Sequence, residues 1–71
     1  MENKEAHVQL GERIQRLRIA KDLSTEALAE KVGIRPITLV NIERGLFAVK
    51  YEVVFAIANA LDMELEFVPK K

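Results

Sequence analysis

The stretch from Ser24 to Gly45, STEALAEKVGIRPITLVNIERG, decides the fold of this chain. Ser24 is a favoured N-cap, and the apolar residues after it recur at helical spacing, which predicts a helix that ends at Gly33. Pro36 suits the first position of a next helix, and Gly45 fits the left-handed position after its end. The connection from Gly33 to Arg35 is so short that the two helices should cross steeply, although any compact helical bundle can use such a loop.

Helices are also predicted on both sides of this stretch. Leu10, Ile14 and Leu17 recur at the spacing of an apolar helical stripe, which predicts a helix over about residues 6–20. A further helix is predicted over about residues 51–61. Its predicted core-facing residues are Val54, Ile57, Ala58 and Leu61.

The apolar period changes to two near the C-terminus. Met63, Leu65 and Phe67 alternate with glutamates, which predicts a short strand over residues 63–68. A single strand has unpaired backbone groups, so we expect it to pair with the same strand of a second copy; a frayed tail is the alternative. The helix before it is apolar nearly all round and should also face a partner. The predicted dimer interface comprises Phe55, Met63, Leu65 and Phe67.

Composition and charge narrow the classes of function. The 71 residues predict a single domain, residues 1–71, and no apolar run approaches the roughly 18 residues that span a bilayer. Cysteine is absent and His7 is the only histidine. We therefore expect no enzyme, no catalytic residue, no cofactor, no metal and no small-molecule ligand, in a soluble, cytoplasmic protein without membrane contact. The net charge is zero, but basic residues outnumber acidic ones eight to four between Arg13 and Lys50, which is compatible with phosphate docking on one side.

The helix that begins near Pro36 has two different faces. At about 100° per residue, Leu39 and Ile42 point one way, while the opposite side carries Ile37, Asn41 and Arg44. Asparagine pairs bidentately with adenine and an aliphatic side chain can touch a thymine methyl, so this strip suits the major groove of DNA. A plain solvated face is the alternative.

A carboxylate falls on the inward side of the same helix. Glu43 lies next to the apolar residues there, and a buried carboxylate needs a partner. Arg18 flanks the apolar stripe of the first helix and can pair bidentately with it. We expect an Arg18–Glu43 ion pair with a structural role.

Residues 10–45, LGERIQRLRIAKDLSTEALAEKVGIRPITLVNIERG, resemble the Cro/repressor-type (Xre-like) helix-turn-helix family. This resemblance implies an all-α, four- to five-helix repressor-like bundle with its helix-turn-helix at about residues 24–45. It also implies a transcription regulator or repressor that binds double-stranded DNA as a homodimer on a palindromic operator. The matching landmarks are Arg18, Leu23-Ser24, Leu28-Ala29, Gly33-Ile34, Leu39, Ile42-Glu43-Arg44-Gly45 and the following IANAL at residues 57–61.

The resemblance assigns roles to individual residues. Thr25 would hold a phosphate at the start of its helix, and Arg18 with Glu43 matches a common buried ion pair of the family. Thr25 and Arg35 depart from the family, which usually has Gln and a capping Ser, Thr or Asp at these positions; Lys50 likewise replaces a capping Ser. The residues at base-contacting positions are Arg35, Pro36, Ile37, Thr38 and Asn41, and Arg44 completes the predicted DNA-binding set.

Three functions remain open from the sequence. The first is an operator-binding regulator. The second is an antitoxin-like DNA-binding protein with a toxin-like protein partner. The third is an interaction module that has lost DNA binding, which the apolar Ile37 and Val40 on the outward strip would suit.

Overall fold

The computed structural model describes residues 4–64, and residues 1–3 and 65–71 lie outside the described part. Four helices follow one another: α1 Lys4–Ala20, α2 Thr25–Val32, α3 Pro36–Glu43 and α4 Tyr51–Ala60. The predicted all-helical class is therefore confirmed, and each helix begins and ends within a few residues of its predicted bounds. None of the helices between residues 4 and 64 is both long and apolar enough to cross a membrane.

The helix ends follow from the chemistry of the residues found there. The Ser24 hydroxyl accepts a hydrogen bond from the Ala27 backbone N–H at 3.0 Å and so caps α2. Gly33 ends α2 with a φ of 88°, a left-handed conformation that glycine adopts without steric cost. Asp22 and Asp62 follow α1 and α4 with φ values of 58° and 59°, which Asp tolerates better than most residues.

One hydrophobic core serves all four helices. Fully burying an aliphatic side chain contributes about 1.5–3 kcal/mol, so a few such residues supply most of the stability available to a chain of this size. The core residues are Ile14 from α1, Leu28 and Ala29 from α2, Leu39 and Ile42 from α3, and Ile57 with Leu61 at α4 and its end.

Helix α1 approaches the end of α3 closely at Gly11, which is buried. A Cβ atom at this position would lie 2.5 Å from the carbonyl oxygen of Glu43 and would also overlap that of Ile42. Real Cβ atoms essentially never come so near to another heavy atom, so any other residue would push the two helices apart. A Cβ atom at Gly45, just after α3, would overlap the backbone of Val8 in the same way.

The predicted core stripe of α4 is confirmed at Ile57 and Leu61, which are both buried in the core, but not at its other two residues. Val53 and Ala60 pack against the core. Val54 and Ala58, which were predicted there, instead line an open groove beside α1. Because α4 is apolar nearly all round, its periodicity alone does not say which apolar residues beside Ile57 and Leu61 also meet the core.

No strand is present between residues 4 and 64. Met63 and Glu64, the first two residues of the predicted strand, are exposed loop residues, and residues 65–68 lie outside the described part. The Met63 N–H donates to the carbonyl oxygen of Ala58 at 2.8 Å. This bond closes the end of α4, so Met63 uses its backbone donor on its own helix and not on a neighbouring strand.

Candidate nucleic-acid interface

Residues Gly33 to Arg35 connect α2 to α3. The N–H groups of Gly33 and Ile34 both donate to the carbonyl oxygen of Ala29, at 2.8 and 3.0 Å. These bonds close the end of α2 and turn the chain towards α3. A Cβ atom at Gly33 would meet nothing within 4 Å, so glycine is favoured there by its φ and not by a lack of space.

The side chains of α3 divide into an inward and an outward face. Leu39 and Ile42 are 0% and 1% exposed, whereas Ile37 is 54% exposed. Asn41 is half-buried, and Arg44, the C-cap, is exposed. We define the outward face of α3 as Ile37, Val40, Asn41 and Arg44, which recur at helical spacing.

The remaining predicted contact residues lie at the starts of α2 and α3. Thr25 is the first residue of α2 and is half-buried, next to the capping Ser24. Arg35 is the N-cap of α3, has extended backbone angles and makes no side-chain capping hydrogen bond. Pro36, exposed, and Thr38, half-buried, form the first turn of α3. The Arg35 side chain is thus not used to close its own helix.

Exposed charges surround these helix ends. Arg35 begins α3, Arg44 ends it, and Lys50 is the N-cap of α4, again without a side-chain capping bond. The exposed Glu26 in the first turn of α2 has the opposite sign. Cations in this arrangement can contact phosphates on either side of a groove, whereas a side chain in the outward face of α3 can contact bases.

An ion pair joins the end of α3 to α1. Arg18 Nε donates to Glu43 Oε2 at 2.7 Å, and Arg18 Nη2 donates to Glu43 Oε1 at 3.2 Å. Only 11% and 4% of the two side chains are exposed. The geometry is the bidentate arrangement for which the arginine fork is suited.

The same arginine also reaches the turn before α2. Arg18 Nη1 donates to the carbonyl oxygen of Leu23 at 2.8 Å. The hydrogen bond that Arg18 donates to Glu43 raises the pKa of Arg18 above its usual value, and this outweighs the opposing effect of burial. Arg18 therefore stays charged and ties α1, the turn before α2 and the end of α3 into one unit.

Two of the residues predicted for a dimer interface, Phe55 and Met63, lie on α4 and just after it. Phe55 on α4 is exposed and stacks on Tyr51, with ring centroids 6.1 Å apart. Met63 is also exposed, and Leu65 and Phe67 lie outside the described residues. Beside these rings an apolar groove of about 380 Å³ runs between α1 and α4. Its walls include Leu10, Leu17, Val54, Ala58 and Met63.

The sequence reasoning missed an apolar loop next to the outward face of α3. Leu46 and Phe47 are both exposed, and the Leu46 N–H donates to the carbonyl oxygen of Asn41 at 3.1 Å. The signal was available, because the run LFAV at residues 46–49 is apolar and lies outside every predicted helix. Gly11 was missed as well, although a glycine inside an apolar helical stripe often marks a close backbone approach.

The described part of the chain holds no candidate metal centre. Within residues 4–64, no three His, Cys, Asp or Glu side chains come together closely enough to hold a metal ion.

Comparison with known proteins agrees with this geometry. The family model described as helix-turn-helix matches residues 14–68, which is well over half of the chain. The chain belongs to this helix-turn-helix family, whose members are DNA-binding regulatory domains of the Xre and Cro type and are not typically enzymes. A comparison with curated proteins gives no match.

Proposed function

We propose that this protein is a transcription regulator that binds a specific, palindromic DNA operator as a homodimer. The observation that carries the proposal is the outward face of α3, where Ile37 and Asn41 are accessible while Leu39 and Ile42 hold the opposite side in the core. In helix-turn-helix proteins the second helix of the motif enters the major groove, with its N-terminal residues next to the base edges. Helix α3 would take this position.

Each residue of the predicted DNA-binding set has a role when α3 lies in the major groove. Asn41 presents an amide that can pair bidentately with adenine. Arg35, unused as a cap, can pair with guanine or with a phosphate. Thr25 at the start of α2 and Arg44 at the end of α3 would contact phosphates and so set the register of α3 in the groove. Pro36 and Thr38 would form the part of the backbone that comes nearest to the bases.

The Arg18–Glu43 ion pair supports readout indirectly. Recognition by a few side chains requires that their helix be held to within about 0.5 Å. The pair joins α3 to α1 through bonds of 2.7 and 3.2 Å, on the side that faces away from the outward face of α3. We assign it the role of keeping α3 in position without contacting DNA.

The homodimer is supported by the apolar surface of α4. Val54 and Ala58 line the groove beside α1, and the stacked rings of Tyr51 and Phe55 continue the same side of α4. Exposed aromatic rings beside an apolar groove are the kind of surface on which proteins associate. A second copy packed there about a two-fold axis would present two α3 helices, which explains why the operator should be palindromic.

The decisive test is selection of bound sequences from random duplex DNA. We expect enriched sequences with two inverted half-sites whose centres lie about 10–10.5 base pairs, or a multiple of that, apart. Fluorescence anisotropy on the enriched duplex should then show affinity that falls steeply with salt, because phosphate contacts release counterions.

Asn41→Ala is the sharpest variant for this test, and Asn59→Ala is its matched control. Asn59 is exposed on α4 and therefore offers the same chemistry away from α3. Asn41→Ala should lose about 1–3 kcal/mol of discrimination at one base pair of each half-site, whereas Asn59→Ala should lose none. Equal weakening on all sequences by Asn41→Ala would remove it from base recognition, and the absence of any enriched duplex would refute the proposed function.

A second candidate function is an antitoxin-like regulator that also binds a protein. It is favoured by Leu46 and Phe47, which are exposed in the loop after α3. Co-purification of a stoichiometric protein from the native host would support it, provided that Leu46→Asp releases that protein while DNA binding persists.

A further inference from the structure

We infer that Ile37 selects thymine in each half-site by packing against the C5-methyl group in the major groove. The inference rests on the proposed function and adds the identity of one recognised base. The structural fact behind it is the juxtaposition of an exposed isoleucine with Asn41 on the outward face of α3.

Ile37 contributes little to the stability of the fold. More than half of its side chain, 54%, is exposed, and it is absent from the residues that pack against the core. A β-branched residue is also a weaker helix former than alanine. Neither burial nor helix propensity therefore explains an isoleucine at this position.

The place of residue 37 in the helix-turn-helix explains why an isoleucine occurs there. Ile37 is the second residue of α3, and the first turn of the second motif helix is the part that reaches base edges. The exposed Pro36 and the N-cap Arg35 flank it on this turn. No exposed acidic residue stands on α3 itself, since Glu43 is buried in its pair with Arg18.

The chemistry of the side chain then determines which base it favours. Isoleucine has no hydrogen-bond donor or acceptor, so it gains nothing from the polar edges of guanine, adenine or cytosine. The thymine methyl is the one apolar group that the four base pairs display in the major groove. Asn41 lies one helical turn further along the same face, so the adenine that it would read and this thymine fall close together in the half-site.

The test replaces thymine by uracil, one position at a time, in a duplex enriched from random DNA. Uracil keeps every hydrogen-bonding group of thymine and lacks only the methyl. Titrations of the full chain should show one thymine per half-site at which uracil raises the dissociation constant about fourfold. This is the effect expected for one methyl group removed from an apolar contact. Uracil outside the half-sites should have no effect.

Variants connect the effect to the residue. Ile37→Ala should bind the thymine and the uracil duplex equally well, so the fourfold ratio disappears. Ile19→Ala is the matched control, because Ile19 is 59% exposed, is also helical and lies on α1 outside the motif. It should keep the fourfold ratio. Circular dichroism should show both variants as helical as the parent.

The outcomes separate this inference from the function on which it rests. Sequence-specific binding that tolerates uracil at every position would overturn the role of Ile37 and leave the proposed function standing. An unchanged ratio in Ile37→Ala would overturn it as well. If random DNA yields no enriched duplex, the proposed function fails and this inference fails with it.

Discussion

Helix α1 has α3 on one side and α4 on the other, and the two sides are packed very differently. Towards α3, Gly11 brings the two backbones into direct contact and the Arg18–Glu43 pair spans the junction. Towards α4, a groove of about 380 Å³ stays open between apolar walls. The contact between α1 and α3 is therefore closely packed, whereas the residues between α1 and α4 are apolar but leave a groove between the two helices.

The difference between these two sides of α1 shows that the buried residues of this short chain are concentrated where α3 is held. Leu39 and Ile42 are completely enclosed on the α3 side, while Val54 and Ala58 at α4 are only partly covered. The enclosed side belongs to the helix proposed to read DNA, which must hold a fixed position. The open side is available to a partner, and association with one would complete the second interior.

Glu43→Ala tests the enclosed side most severely. It leaves the buried guanidinium of Arg18 without its partner, and removal of one member of a buried ion pair costs about 3–5 kcal/mol. Urea denaturation should show a loss of this size. Glu12→Ala is the control: Glu12 forms an exposed pair with Arg16 at 3.9 Å, and its removal should change stability by less than about 1 kcal/mol. Similar losses for both variants would contradict a buried brace.

Phe55→Asp tests the open side. Its side chain is exposed in the single chain, so the variant should fold, but a charge at the interface should weaken dimerisation at least about tenfold. Sedimentation velocity over a concentration series measures this. Ile19→Asp, which adds the same charge at an exposed residue outside the α4 face, should leave the dimer intact. A parent protein that is monomeric at every concentration would refute the dimer itself.

Gly11→Ala distinguishes packing from helix propensity by the sign of its effect. In an exposed helix, alanine would stabilise by about 0.5–1 kcal/mol relative to glycine. At Gly11 the new Cβ would press on the carbonyl oxygens of Ile42 and Glu43, so we expect destabilisation of about 1–3 kcal/mol. Thermal unfolding gives the sign directly, and a higher melting temperature would mean that α1 and α3 can separate without cost.

The smallest effect concerns the two helices that begin without a capping side chain. Arg35→Ser and Lys50→Ser should each stabilise the fold by about 0.5–2 kcal/mol, because serine can cap α3 or α4. Arg35→Ser should also lose DNA affinity. The loss should exceed that of Lys50→Ser, which removes an equal charge from outside α3. Equal losses would show that Arg35 acts only through its charge.

Much of the fold was predictable because its signals act within one helical turn. The N-cap Ser24, the left-handed Gly33 and the N1 Pro36 occupy the conformations that their own chemistry favours. Helical geometry also places Leu39 and Ile37 on opposite faces of α3, and the polar Asn41 and Arg44 mark the face of Ile37 as the outward one. The residues of the helix-turn-helix and the faces of its helices could be predicted from the sequence for this reason.

Other features depended on contacts between distant residues. The predicted strand at 63–68 is an example: Met63 donates its N–H to Ala58 and Glu64 is a loop residue, while residues 65–68 lie outside the described part. A period of two in so short a run identifies a strand only if another strand is available to pair with it. The predicted pairing is with a second copy of the chain, so the local period alone could not establish it.

By itself, then, the sequence determined four helices, their ends and the inward position of Glu43, because caps, turns and periodicity are local. Only the tertiary structure decided which residues of α4 pack against the core beside Ile57 and Leu61, and how near α1 comes to α3. Val53 and Val54 are equally apolar, so no property of either residue says which will be enclosed. That choice depends on where the other three helices lie around α4. Their positions depend in part on Gly11, which has no side chain and so allows α1 to lie directly on α3.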